Sequence, residues 1–115
     1  MPYLKLILPA ETPPEAVESL LREGSSLVAR CLGKPERYVF AACERADVLL
    51  GGDGSPAAFL EVRSAGGFAE GARGELSERL SGLVERVAGI PPARTHLNFR
   101  AVDRADWGLD GKTLG

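Results

Sequence analysis

Gly33-Lys34-Pro35-Glu36-Arg37-Tyr38 ends one helical stretch of the chain, and Gly89-Ile90-Pro91-Pro92-Ala93-Arg94 ends another. In each, a glycine free to adopt the left-handed cap is followed by proline, which cannot continue a helix. Upstream of the first, Val17, Leu20, Leu21, Leu27, Val28 and Cys31 share a face at helical spacing. Thr12-Pro13-Pro14-Glu15 reads as the capping box that starts this helix, which runs to about Leu32. Upstream of the second, Leu76, Leu80, Leu83, Val84 and Val87 form the apolar face of a helix from about Ala69 to Ala88. Gly71, Gly74 and Gly82 weaken it by up to ~1 kcal/mol each relative to alanine, so packing must hold it.

Strands flank both helices. One covers residues 2–8, and a second starts near Arg37, runs to about Cys43, and takes Val48-Leu49-Leu50 as a short extension. Gly51-Gly52-Asp53-Gly54-Ser55-Pro56 is a turn. A third strand spans Ala57 to Arg63, and a fourth Thr95 to Val102. The expectation is one domain over residues 1–115, built from two tandem β-α-β units at about 2–50 and 57–102. Each crossover joins parallel strands with right-handed sense. The fold class is α+β, with a four-stranded mixed sheet and two helices on one face. The first strand is apolar on both sides (Tyr3, Leu4, Leu6, Ile7, Leu8), so the open sheet face is expected to meet another subunit, and the internal duplication favours a closed ring.

The composition is that of an ordinary globular chain: 115 residues, 44% apolar, 26% charged, net charge −2. There is no basic run or aromatic-rich basic face for nucleic acid, and no apolar stretch of membrane-spanning length. No secretory signal is visible, so the expected compartment is the cytoplasm, with signal-independent export left open. Cys31 and Cys43 lack CxxC spacing and read as reduced core residues, without a metal or redox role.

Pro2 invites a chemical reading. Initiator methionine is usually removed before a small residue, which leaves a secondary amine at the head of an apolar strand. An ordinary α-amino group titrates near roughly 7.7–8.0, and an apolar surround lowers that value. Pro2 then serves as an uncharged base at neutral pH; the alternative is that it merely stiffens a frayed end.

The chain resembles the macrophage migration inhibitory factor family of the tautomerase superfamily over essentially its whole length. The residues that carry the likeness are Pro2; Gly33-Lys34-Pro35 with Tyr38-Val39; the turn from Gly51-Gly52 to Ser55-Pro56; Ser64 with Gly66; Gly89-Ile90-Pro91 with Arg94; His96-Leu97-Asn98-Phe99; and the tail from Trp107 to Gly115. The resemblance implies a homotrimer of duplicated β-α-β units and cofactor-independent keto–enol tautomerisation of α-keto acids such as phenylpyruvate, or of dopachrome-type compounds. It implies Pro2 as general base, Lys34 and the Ala65 backbone amide as partners for substrate oxygens, and Asn98 contributed across the subunit boundary. Tyr38 would form part of an apolar rim. Lys34 also has a plainer reading, as the helix C-terminal lysine that answers the dipole.

Several positions depart from the family. His96, the only histidine, stands where tyrosine is usual, and reads either as a substrate-site group or as a solvated strand-end residue. Leu109 and Leu114 replace aromatic pocket residues, Trp107 is displaced from the usual tryptophan position, and Ala65 replaces a larger aliphatic residue. These changes imply a roomier, less aromatic pocket, with phenylpyruvate activity weakened or redirected. Arg63 is open to two roles, substrate carboxylate binding or a solvated ion pair. Two other functions compete with the tautomerase: a cytokine-like protein that binds a receptor or other protein while its pocket is vestigial, and an enzyme of unsaturated acids using Arg63 and Arg37.

Overall fold

The computed structural model describes residues 1–115. The chain runs β1 (Pro2–Pro9), α1 (Pro14–Leu32), β2 (Phe40–Ala46), β3 (Ala58–Ala65), α2 (Ala72–Ala88) and β4 (Thr95–Val102). A small hairpin, β5 (Gly108–Leu109) and β6 (Lys112–Thr113), follows. The sheet order is β2-β1-β3-β4. β1 pairs with β2 in parallel, as β3 does with β4, and the two units join through antiparallel β1 and β3. This is the expected mixed sheet with two helices.

Alternation along the central strands builds the core. Leu4, Leu6 and Leu8 of β1 and Leu60 and Val62 of β3 are wholly or almost wholly buried. They meet Leu20 and Val28 of α1 and Leu76, Leu80 and Val84 of α2 in one cluster. Each such side chain stabilises the fold by about 1.5–3 kcal/mol relative to exposure. Gly24 lies where α1 presses closest: an added Cβ would stand 2.9 Å from Leu4 Cδ2. Both helices stop as the repeated motif requires, with Gly33 at φ 63° and Gly89 at φ 72°.

The boundaries differ from the sequence reading in instructive ways. Thr12 does not cap α1. Pro13 occupies the cap without a side-chain hydrogen bond, and the Thr12 hydroxyl donates to the Pro9 carbonyl at 2.7 Å, closing the β1–α1 turn instead. β2 starts at Phe40, not Arg37, because Pro35 leads into a 3-10 turn over Glu36–Tyr38. Val48-Leu49-Leu50 forms no strand; Leu50 makes a single bridge to Asp53. β3 extends two residues further, to Ala65, and α2 starts later, at Ala72. The hairpin at the tail turns on Asp110 (φ 56°) and Gly111 (φ 80°), the left-handed pair that a two-residue type I′ loop demands. Arg94 explains its place in the second motif: its guanidinium donates to the carbonyls of Asp53, Ser55 and Pro56 and ties down the glycine-rich turn.

The open sheet face is also less apolar than expected. Register places Ala42, Lys5, Glu61 and Asn98 in its middle row. Tyr3, Phe40 and Arg63 lie toward one end, and Ile7, Phe59 and His96 toward the other. Lys5 pairs with Glu44 at 3.4 Å across that face. Phe40 (63% exposed) and Leu49 (71%) are the most exposed large apolar side chains.

The packing around the glycines makes a direct prediction. Gly74 and Gly82 have open space where a Cβ would go and no left-handed φ, so Gly74→Ala and Gly82→Ala should each stabilise the protein by about 0.5–1 kcal/mol. Gly24→Ala should destabilise it, since the added methyl would stand 2.9 Å from Cδ2 of the wholly buried Leu4 and force it to shift. Urea unfolding midpoints at one fixed protein concentration would check all three.

Candidate active site

Pro2 is fully buried at the first position of β1, paired with Ser64 near the end of β3. Met1 continues the pairing by one step: its carbonyl accepts the Ala65 N–H at 3.1 Å. The Met1 amine is held below its ordinary pKa, first by burial, then by the nearby charges of Lys34 and Arg104. Lys34 follows the cap of α1, is exposed, and makes no ion pair. It lines a cleft of about 330 Å³ with Leu32, Ser64, Gly66, Gly67 and Phe68. The left-handed glycines Gly66 (φ 88°) and Gly67 (φ 90°) turn the chain away from the end of β3 and leave this space open.

A larger cleft of about 530 Å³ lies against Met1. Tyr3, Tyr38, Phe40 and Trp107 supply four aromatic rings, with Arg37 and Leu109 at its wall. Tyr3 and Phe40 stack at 5.8 Å because register sets them side by side. The Arg37 guanidinium lies 4.6 Å from the Tyr38 ring centre. The tail hairpin carries Trp107 and Leu109 to the cleft, held by a hydrogen bond from the Leu114 N–H to the Trp107 carbonyl. Leu114 does not line the cleft; the rings come from β1, β2, the turn between α1 and β2, and the tail. Tyr3 and Phe40 as cleft walls are absent from the sequence reading, which gives Arg37 a site role only in an enzyme of unsaturated acids. Alternation in β1 was the available signal for Tyr3, and Asp110-Gly111 the one for the hairpin.

Pro2, Lys34, Ala65, Tyr38, Trp107 and Leu109 thus gather at one end of the sheet. Asn98 and His96 do not. Pro2 pairs with Ser64, which pairs with Ala101, so Asn98 stands three residues and His96 five residues back along β4. At ~3.3 Å per residue, that sets them about 10 Å and about 16 Å along the sheet from the Pro2 row. His96 is exposed, tilted against Phe59 at 6.1 Å, and lines a separate apolar cleft with Ile7, Leu49 and Leu50. Arg63 lies over the Tyr3 ring at 5.0 Å and approaches Glu61 only to 3.9 Å. Cys31 and Cys43 are free and half-buried. Burial, with Glu75 beside it, pushes the Cys31 thiol up to about 11, and burial raises Cys43 as well. No helix is long and apolar enough to cross a membrane.

Comparison with known proteins agrees with this fold. The family model described as Macrophage migration inhibitory factor (MIF) matches residues 1–115. A macrophage migration inhibitory factor homolog of Trichuris trichiura is 33% identical over 95 residues, covering 82% of this chain and 83% of that protein. The crystal structure of a homologue from Prochlorococcus marinus is 32% identical, with a TM-score of 0.91 over 98% of this chain and 99% of that one. A fused 4-OT asymmetric trimer shares the fold at 20% identity, with a TM-score of 0.88 over 97% of this chain and 95% of its own. With its duplicated β-α-β sheet, its buried second-position proline and a match along its full length, the chain belongs to the macrophage migration inhibitory factor family.

Proposed function

We propose that this chain is a cofactor-independent keto–enol tautomerase of α-keto acids such as phenylpyruvate, with Pro2 as its general base. The observation that carries this reading is the position of Met1. It acylates the Pro2 nitrogen, places its carbonyl on the Ala65 N–H, and forms part of the aromatic cleft wall. Removing that one residue would uncover a secondary amine and free a backbone donor in the same place. Pro2 would then occupy the surroundings that already depress the Met1 amine, beginning one residue deeper.

The chemistry follows from these groups. The neutral Pro2 nitrogen takes a proton from the carbon beside the keto group. Negative charge moves to the keto oxygen, where the Ala65 N–H and the Lys34 ammonium stabilise it. Pro2 returns the proton to that oxygen, and the enol leaves; the reverse reaction uses the same steps. The apolar cleft between Tyr3, Tyr38 and Trp107 would take the aromatic end of the substrate.

Asn98 and His96 join the site only if a second copy supplies them, and a homotrimer is the assembly we propose. The exposed Phe40 and Leu49, the two unpaired outer strands, and the trimeric assembly named for the 4-OT neighbour support it. Asn98 would then bind substrate across the boundary, with His96 beside it.

The base must be unprotonated to act. Activity (kcat/KM) should therefore rise with pH through a pKa below the ordinary α-amino range of roughly 7.7–8.0, and plateau above it. Rate profiles with phenylpyruvate from pH 5 to 9 would show this; an inflection above 8 contradicts the reading. A chain with one alanine ahead of Pro2, or with Met1 retained, should lose at least about 100-fold in kcat. Intact mass would verify each form, and unchanged turnover in the extended form would refute Pro2 as base. In mixed assemblies, inactive Pro2-blocked and Asn98→Ala chains should together regain activity if the site crosses a subunit boundary.

A further inference from the structure

Ser64 is only 1% exposed, and its Oγ is a buried polar atom with no hydrogen-bond partner. Such an orphan is rare in a folded chain and calls for an explanation. Its cross-strand partner is Pro2. Met1 and Ala65 occupy a hydrogen-bonded position of the ladder, so Pro2 and Ser64 fall at the adjacent non-bonded position. There, Cα atoms stand about 4.5 Å apart and the two side chains are closest. While Met1 acylates it, the Pro2 nitrogen has no proton to donate and no free lone pair, so it cannot satisfy the hydroxyl. Loss of Met1 changes that: the secondary amine has one N–H and one lone pair when neutral, and two N–H bonds when protonated.

We propose that Ser64 is a positioning residue for Pro2, its Oγ accepting an N–H of the mature terminal amine. This rests on the reading of Pro2 as base. With its one N–H engaged by Ser64, the neutral nitrogen turns its lone pair outward, toward the clefts lined by Lys34 and by Tyr38 and Trp107. After the substrate proton has been taken, one N–H stays on Ser64. The other faces the substrate, so the abstracted proton is the one returned. Besides burial, two charged groups lower the Met1 amine, Lys34 after α1 and Arg104 in the turn after β4, and both would favour a neutral amine one residue on. Ser64 works against them, since an acceptor favours the protonated form.

The test compares chains that begin at Pro2 with chains that retain Met1, each with and without Ser64→Ala. In the Met1 form, Ser64→Ala removes an orphaned hydroxyl, and Tm should rise. In the Pro2 form it removes a formed hydrogen bond, and Tm should fall. Titration of the Pro2 nitrogen by 15N NMR in the Pro2 form should show its pKa lowered by Ser64→Ala and restored by Ser64→Thr. With phenylpyruvate, kcat should fall about tenfold at little change in KM. A Tm change of the same sign in both forms, or a Pro2 titration that Ser64→Ala leaves unmoved, overturns the proposal. If no keto acid is turned over but the Tm reversal and the pKa shift appear, the tautomerase reading fails while the Ser64–Pro2 contact stands.

Discussion

The antiparallel pairing of β1 with β3 is the constraint on which the rest of the structure depends. Each β-α-β unit forms a parallel pair of strands under one helix, and neither pair encloses a core alone. Joining them back to back sets Leu6 opposite Leu60 and brings α1 and α2 down on one continuous apolar surface. The same register decides the chemistry. It sets Pro2 across from Ser64 and points the Ala65 N–H at whatever stands ahead of Pro2. A slip of one residue would move the leucines to the wrong face, so core packing enforces the position of the chain terminus with the full weight of the fold.

The clefts are a by-product of how the strands end. β3 finishes in two left-handed glycines, which carry the backbone away before a side chain can fill the gap. β2 begins late, after a tight turn that lifts Tyr38 and Arg37 to the rim. The tail then folds back through a small hairpin and sets Trp107 against the opening. Three connections, none of them part of the sheet, thus shape two clefts at the end of the sheet where the chain begins.

Much of the architecture was legible in the residues. The two glycine–proline stops, the apolar spacing before them and the strand alternation define both units, because each depends only on local chemistry. Strand and helix starts were harder to place. Thr12 carries the right oxygen for a helix cap, yet the turn needed that hydroxyl on Pro9 more. Glu36–Tyr38 has strand-like composition, but proline at 35 steers it into a tight turn. Of the candidate site, Pro2, Lys34, Ala65, Tyr38, Trp107 and Leu109 stand at one end of the sheet. The separation of Asn98, which the resemblance already puts across a subunit boundary, and of His96 follows from strand direction. Phe40 as a cleft wall and the orphaned Ser64 hydroxyl likewise depend on which atoms meet across strands.

β2 and β4 each leave one margin of the sheet with backbone donors and acceptors that nothing in the chain pairs. That is the chemistry by which strands stick to one another without discrimination. Glu44 and Arg45 on one margin and Arg100 on the other would restrict pairing to strands that answer their charges, such as those of neighbouring copies in the proposed trimer. Loss of these charges, far from any cleft, would therefore be felt first as clumping of newly made chains.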